Sequence, residues 1–214
     1  IASKNHANGA RNPRAQFRRE MSVEHLAGLI AEGADQIADW AGKRPNAMRA
    51  GNFSSGPSVF QAARQAGLRF SSNICVGVAP PPEREMAMTG GGHEFAGIRE
   101  LPVTCFAELG PVGRGRLRPM QVTALSSPEL TSLLDAAHNG GNPVVVIVTH
   151  PFEFLKKRDV DYTGMRPNRL IQHRFERLCA YLAENDDRFE IMPIAAAADA
   201  GVALGDLRHL LGMH

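Results

Sequence analysis

Charge of one sign and long apolar runs are both scarce in this sequence. Its 24 basic residues nearly balance 22 acidic ones, for a formal net charge of +2. Such a balance lacks the excess positive charge that nucleic acids and anionic membrane surfaces attract, so we expect no nucleic-acid partner. No apolar run approaches the roughly 20 residues that cross a bilayer, and we therefore predict no transmembrane segment.

Cysteine is also sparse, and its pattern excludes two common uses. Cys75, Cys105 and Cys179 form no C-x-x-C pair, and their odd number argues against a disulfide framework. Buried, reduced thiols are expected instead of bridges or a structural zinc site. The absence of a disulfide pattern favours the cytoplasm, while a periplasmic or extracellular location stays open because a signal segment is removable.

Helices and short strands alternate along the chain. Caps and apolar spacing predict four helices, at 22–41, 57–67, from 127 onward, and 167–184. Short apolar runs predict strands at 46–49, 68–71, 100–106, 143–149 and 189–193. The Pro- and Gly-rich stretch 77–98 is predicted to be a functional or mobile loop. This alternation indicates βα units, with a parallel sheet or barrel, in one domain over residues 1–214.

Polar residues follow four of the predicted strands or chain segments. They occur at 4–6, 49–52, 71–73 and 150–153. Because α/β folds carry their sites at the carboxyl ends of parallel strands, we expect these residues to share one site.

His150 ends the most apolar strand and is the sharpest candidate. A histidine titrates near neutral pH, so it is suited to protonate a leaving amine. A histidine at this position is equally explained as a satisfied core or surface residue. Glu153 is interpreted either as a residue that orients or hydrogen-bonds the site or as a surface carboxylate. Arg49 either forms a structural ion pair or fixes a catalytic aspartate.

Four stretches, in order, resemble the conserved blocks of the polysaccharide deacetylases, the NodB-homology superfamily. Residues 44–53, RPNAMRAGNF, are similar to that family's RP-x-x-FRAG turn, and 65–72, QAGLRFSS, follow as its GI-x-YDSS block does. Residues 100–104, ELPVT, match a segment with the same letters. Residues 148–154, VTHPFEF, resemble the late histidine block.

The resemblance implies a distorted (β/α) barrel that hydrolyses acetyl groups on a carbohydrate. It also implies a divalent metal, commonly zinc, held by an aspartate and two histidines, with a second aspartate as general base. The aspartate block would lie upstream of residue 1, so we expect the barrel to be incomplete at its N-terminus.

Carried over residue by residue, His150 matches the general acid and Arg49 the arginine that positions the base. His6 matches a metal ligand in the shorter spacing of the family's histidine block, whereas Asn8 takes that position in the longer one. Asn52, Ser72 and Glu153 are expected to line the cleft that binds the acetylated substrate.

Lys4 departs from the pattern, because the family has a ligand histidine there. An ammonium group beside a divalent cation repels it. The substitution favours an alternative, a non-catalytic relative that binds a glycan or a partner with the same cleft. A third interpretation makes Lys4 an anchor for an anion.

Overall fold

A computed structural model describes residues 21–108, 115–157 and 164–200. The described chain is a mixed α/β structure with five α-helices and several short strands. Lys4 and His6 lie outside the described residues, as does most of the segment 195–214 that composition predicts to be helical. None of the helices that the structure describes is long and apolar enough to cross a bilayer, as expected.

Four of the five described helices lie where the sequence predicts them, with ends that agree to within two residues. Helix α1 covers Val23–Ala41, where the Ser22 side chain accepts from His25 N and Gly42 closes the helix with a φ of 68°. The other four are α2 (Pro57–Gln65), α3 (Ser127–Asn139), α4 (Arg169–Glu184) and α5 (Ile194–Asp199). For α3 the cap is Ser126 and not Ser127, because Ser126 and Glu129 form a reciprocal capping box.

Four strands form the largest described sheet. They are β1 (Ala47–Met48), β2 (Phe70–Ser71), β3 (His93–Phe95) and β4 (Ile98–Glu100). Their order is β1-β2-β4-β3, with β1, β2 and β4 parallel and β3 antiparallel to β4. The parallel pairing brings the carboxyl ends of three strands to one edge of the sheet.

Strand β3 corrects the prediction that all of 77–98 is loop. Phe95 pairs with Ile98, so only Ala96 and Gly97 connect β3 to β4. Both residues have positive φ, 51° and 76°, as the tightest hairpin turns require. The turn was missed because surrounding prolines and glycines conceal a three-residue strand.

The predicted strand 100–106 is divided in two. Strand β4 ends at Glu100, and β5 (Cys105–Ala107) pairs antiparallel with β6 (Leu117–Pro119). A third two-stranded sheet joins β7 (Leu155–Lys156) to β8 (Arg166–Pro167).

The apolar segment 144–148 connects these parts of the fold. Thr104 N donates to Val146 O at 3.0 Å, and Val148 N donates to Met120 O at 2.9 Å. The segment is therefore hydrogen-bonded to the stretches around residues 104 and 120, which are also bonded to each other, and it ends two residues before His150. The distorted barrel stays a prediction.

Apolar side chains pack in three buried clusters. Phe60 of α2 packs with Ile98 of β4 and Val148 in the first cluster. Leu130, Leu133 and Leu134 of α3 pack with Ile171 and Leu178 of α4 in the second. Phe70 and Leu101 pack against Ala197 and Ala198 in the third. The packing of these side chains holds the strands in place and so positions the sheet edge at which the polar residues lie.

Candidate functional site

Arg49 and Ser72, predicted from the ends of separate strands, lie in direct contact. Arg49 Nε donates to Ser72 O at 3.0 Å, and Nη2 donates to Ser72 Oγ at 2.7 Å. Burial lowers the pKa of Arg49, and the nearby charge of Glu100 opposes that effect. The guanidinium is thus held by a backbone and a hydroxyl oxygen, with a carboxylate acting on it through space.

Glu100 is a central residue of this edge, although the sequence indicates no role for it beyond its place in a predicted strand and in the ELPVT block. Its carboxylate is buried, and Oε1 accepts from Asn73 N and Ile74 N, each at 2.7 Å. Ser71 Oγ is hydrogen-bonded to Oε2. Burial raises the pKa of Glu100 to about 7, against the opposing effect of these hydrogen bonds and of Arg49.

The loop after β1 contains unusual backbone geometry. Asn52 and Phe53 both have a φ of 53°, although neither is glycine. Such left-handed residues cost on the order of 1–3 kcal/mol each and concentrate at functional sites. Asn52 is exposed, so its amide is available to a ligand.

Asn73 ties this loop to β2. Ala50 N donates to Asn73 Oδ1 at 2.8 Å, which sets the orientation of the amide. Its Nδ2 is buried and has no hydrogen-bond partner. We call Arg49, Ser71, Ser72, Asn73 and Glu100 the Arg49 group.

His150 and Glu153 form a histidine–carboxylate pair in the segment that follows Val148. His150 Nδ1 lies 3.2 Å from Glu153 Oε1, and His150 N donates to Oε2 at 3.0 Å. The His150 side chain is 40% exposed and that of Glu153 is 11% exposed. No described residue hydrogen-bonds the other ring nitrogen, Nε2.

Glu153 is held by three further side chains. Gln121 Nε2 donates to Oε1 at 2.6 Å, Thr123 Oγ1 donates to Oε1 at 3.2 Å, and Thr149 Oγ1 donates to Oε2 at 3.0 Å. Burial on its own raises the pKa of Glu153, but hydrogen bonds from His150 and these side chains outweigh it and lower the pKa. Because both oxygens are engaged, the geometry suits Glu153 to orienting His150.

We call His150, Glu153, Gln121, Thr123 and Thr149 the His150 group. No hydrogen bond among the described residues joins it directly to the Arg49 group. The stretch 101–104 lies between them, since Val103 N donates to Ile74 O and Thr104 N donates to Val146 O. The sequence signals for Gln121 and Thr123 were weak, because they are 32 and 30 residues from Glu153 along the chain.

The described residues give the least support to the predicted metal site. Within 21–108, 115–157 and 164–200, no group of three or more His, Cys, Asp or Glu side chains is placed to hold a metal ion. His6, the predicted ligand, lies outside those ranges. The described residues therefore do not supply a ligand set of their own.

A pocket of about 360 Å³ lies apart from both groups. Its lining includes Phe106, Leu133, Arg118, Glu108 and Glu129. Arg118 pairs with Glu108 at 2.7 Å, and Glu129 is bonded to Ser126. Arg118 and Glu108 therefore form an ion pair at the pocket, and Glu129 belongs to the capping box of α3.

Comparison with known protein families, with curated proteins and with solved structures finds no match to this chain.

Proposed function

We propose that this protein is a hydrolase that removes acetyl groups from a carbohydrate, with His150 as its general acid. The observation that carries the proposal is the pairing of a half-exposed imidazole with a largely buried carboxylate whose two oxygens are both hydrogen-bonded. The four blocks that resemble polysaccharide deacetylases supply the reaction class.

The His150 group is suited to move a proton. With Nδ1–H donated to Glu153, the carboxylate fixes the orientation of the ring. The opposite nitrogen, Nε2, then carries the proton that the leaving amine or alcohol oxygen of the sugar accepts. Gln121, Thr123 and Thr149 keep the carboxylate in place while this proton moves.

The Arg49 group is suited to position the catalytic base. Arg49 uses Nε and Nη2 to hold Ser72, and no described residue hydrogen-bonds its Nη1. We assign Nη1 to the carboxylate base that the family resemblance implies. Asn52, which is exposed on the strained loop, contacts the substrate in this proposal.

The proposal includes a divalent ion such as zinc, for which His6 is a predicted ligand. The ion would polarise the acetyl carbonyl and the attacking water. No step above is routed through it, because the described residues provide no ligand set.

The alternative is a catalytically inactive relative that binds a glycan through the same edge. Lys4, in place of a ligand histidine, is the observation that favours it. This alternative keeps the exposed groups around His150 and Arg49 but predicts no acetate release.

The test measures acetate release from N-acetylglucosamine oligomers and from an O-acetylated xylan. With zinc and the upstream aspartate block that the resemblance implies both present, we expect the wild-type protein to release acetate and His150→Gln to lose about 10²–10⁴-fold in kcat/KM, the usual contribution of a general acid. His173→Gln is the matched control, because His173 is exposed on α4 and belongs to neither group.

Acetate release by the wild type that His150→Gln leaves unchanged would refute the assignment of the acid. Saturable oligomer binding with no acetate release would replace the hydrolase with the binding alternative.

A further inference from the structure

Phe152 is an exposed aromatic residue placed directly against the proposed acid. Its side chain is 66% exposed. Its ring lies 4.9 Å from the His150 ring, centroid to centroid, with only 27° between the two planes. An exposed phenyl ring offers apolar surface that water solvates poorly, so a ligand that covers the ring gains free energy.

The backbone segment that carries the Phe152 ring is held in place by hydrogen bonds. Phe152 belongs to the 3₁₀ helix Pro151–Phe154, whose Glu153 carboxylate is engaged at both oxygens. Asn168 adds two bonds, from Nδ2 to Glu153 O at 3.0 Å and from N to Phe154 O at 2.8 Å. Since the support is fixed before a ligand arrives, little conformational entropy is lost when the ring is covered.

We propose that Phe152 is a stacking platform for a sugar ring, adjoining His150. The apolar C–H face of a pyranose matches a flat aromatic surface, while its hydroxyl and acetamido groups point outward from the ring edge. His150 stacks against one face of the phenyl ring, so a sugar would cover the opposite, exposed face beside the site. The choice of a sugar as occupant rests on the proposed function.

Trp40 provides the contrast that makes the position of Phe152 specific. It is even more exposed, at 78%, but it lies on α1 and belongs to neither polar group. Exposure of an aromatic ring is therefore not unusual in this chain. The stack with His150 distinguishes Phe152.

The experiment uses an indole introduced at the platform as a reporter. Trp40 is the chain's single tryptophan, so Trp40→Phe combined with Phe152→Trp leaves one emitting indole beside His150. N-acetylglucosamine tetramer is the probe, and glucose tetramer is the unacetylated comparison. We expect a saturable change in emission with the N-acetylglucosamine tetramer.

Affinity is measured in parallel by calorimetry on proteins with and without the platform. Phe152→Ala is expected to weaken tetramer binding about tenfold, and Phe152→Trp to retain it. Trp40→Ala is the matched control, because it removes another exposed aromatic ring and is expected to leave the affinity unchanged.

The outcomes separate this inference from the proposed function. Tetramer binding that depends on Phe152, without acetate release, supports the platform and rejects the hydrolase. Acetate release with the same KM in wild type and Phe152→Ala overturns the platform and leaves the hydrolase standing. An emission change that follows protein concentration instead of tetramer concentration also overturns it, since the ring is then covered by a second copy of the chain.

Discussion

Glu100→Gln is the substitution whose effect the structure specifies most closely. Oε1 of Glu100 already accepts two backbone N–H groups, so a proton on the carboxyl group lies on Oε2, next to Ser71 Oγ. Glutamine reproduces that arrangement, because its oxygen accepts the two N–H groups and its amide nitrogen donates to Ser71. The variant therefore copies the protonated form of Glu100 at every pH.

The magnitude follows from the pKa of Glu100. Burial raises it from 4.5 to about 7, so the folded protein retains a proton that the unfolded chain releases above about pH 4.5. The protonated carboxyl group of Glu100 makes its full contribution to the free energy of unfolding below about pH 4.5. This contribution is lost as the pH rises through about 7. The full difference corresponds to about 3 kcal/mol in the free energy of unfolding.

The assay is urea unfolding at intervals from pH 5 to pH 8, followed by circular dichroism at the helix band. Circular dichroism is preferred because Trp40 is 78% exposed, which makes its emission a poor reporter of unfolding. We expect the wild type to lose about 2 kcal/mol or more relative to Glu100→Gln over this range. Other groups that titrate, such as the histidines, affect both proteins alike and cancel in the difference.

Glu94→Gln is the matched control, because Glu94 lies exposed on the neighbouring strand β3. It is expected to keep the pH dependence of the wild type. A stability difference between wild type and Glu100→Gln that is the same at pH 5 and pH 8 would refute the reasoning about Glu100.

Two further predictions concern the Arg49 group and the thiols. Arg49→Lys removes the two directed bonds to Ser72 and is expected to lower the free energy of unfolding by about 1–2 kcal/mol, which urea unfolding measures; an unchanged value would contradict the contact. Cys179 is exposed whereas Cys75 and Cys105 are buried, so a thiol reagent is expected to label one cysteine rapidly in the folded protein and all three in urea. Rapid labelling of all three without urea would contradict the described core.

The helices were predictable because their signals are local. Ser22 and Gly42 bracket α1, and the proline and glutamate that follow Ser127 indicate the start of α3 to within a residue. Arg49 and Ser72 were also foreseen as neighbours, because parallel strands end at the same edge.

The residues that sequence reasoning missed depend on contacts distant along the chain. Glu100 reads as an ordinary charged residue in a strand, and its burial is visible only when β2 and the turn after it fold over it. Glu153 was a candidate, but the sequence left its role open because Gln121 and Thr123, which hold it, come from a separate part of the fold. The β3 strand was obscured by the glycines and prolines around it.

The most direct test of the account is acetate release from N-acetylglucosamine oligomers by the wild-type protein and by His150→Gln, with zinc and the upstream aspartate block present and His173→Gln alongside. The account predicts time-dependent acetate from the wild type and from His173→Gln, and a loss of about 10²–10⁴-fold in His150→Gln. Acetate release that is equal in all three proteins, or absent from the wild type, would contradict it.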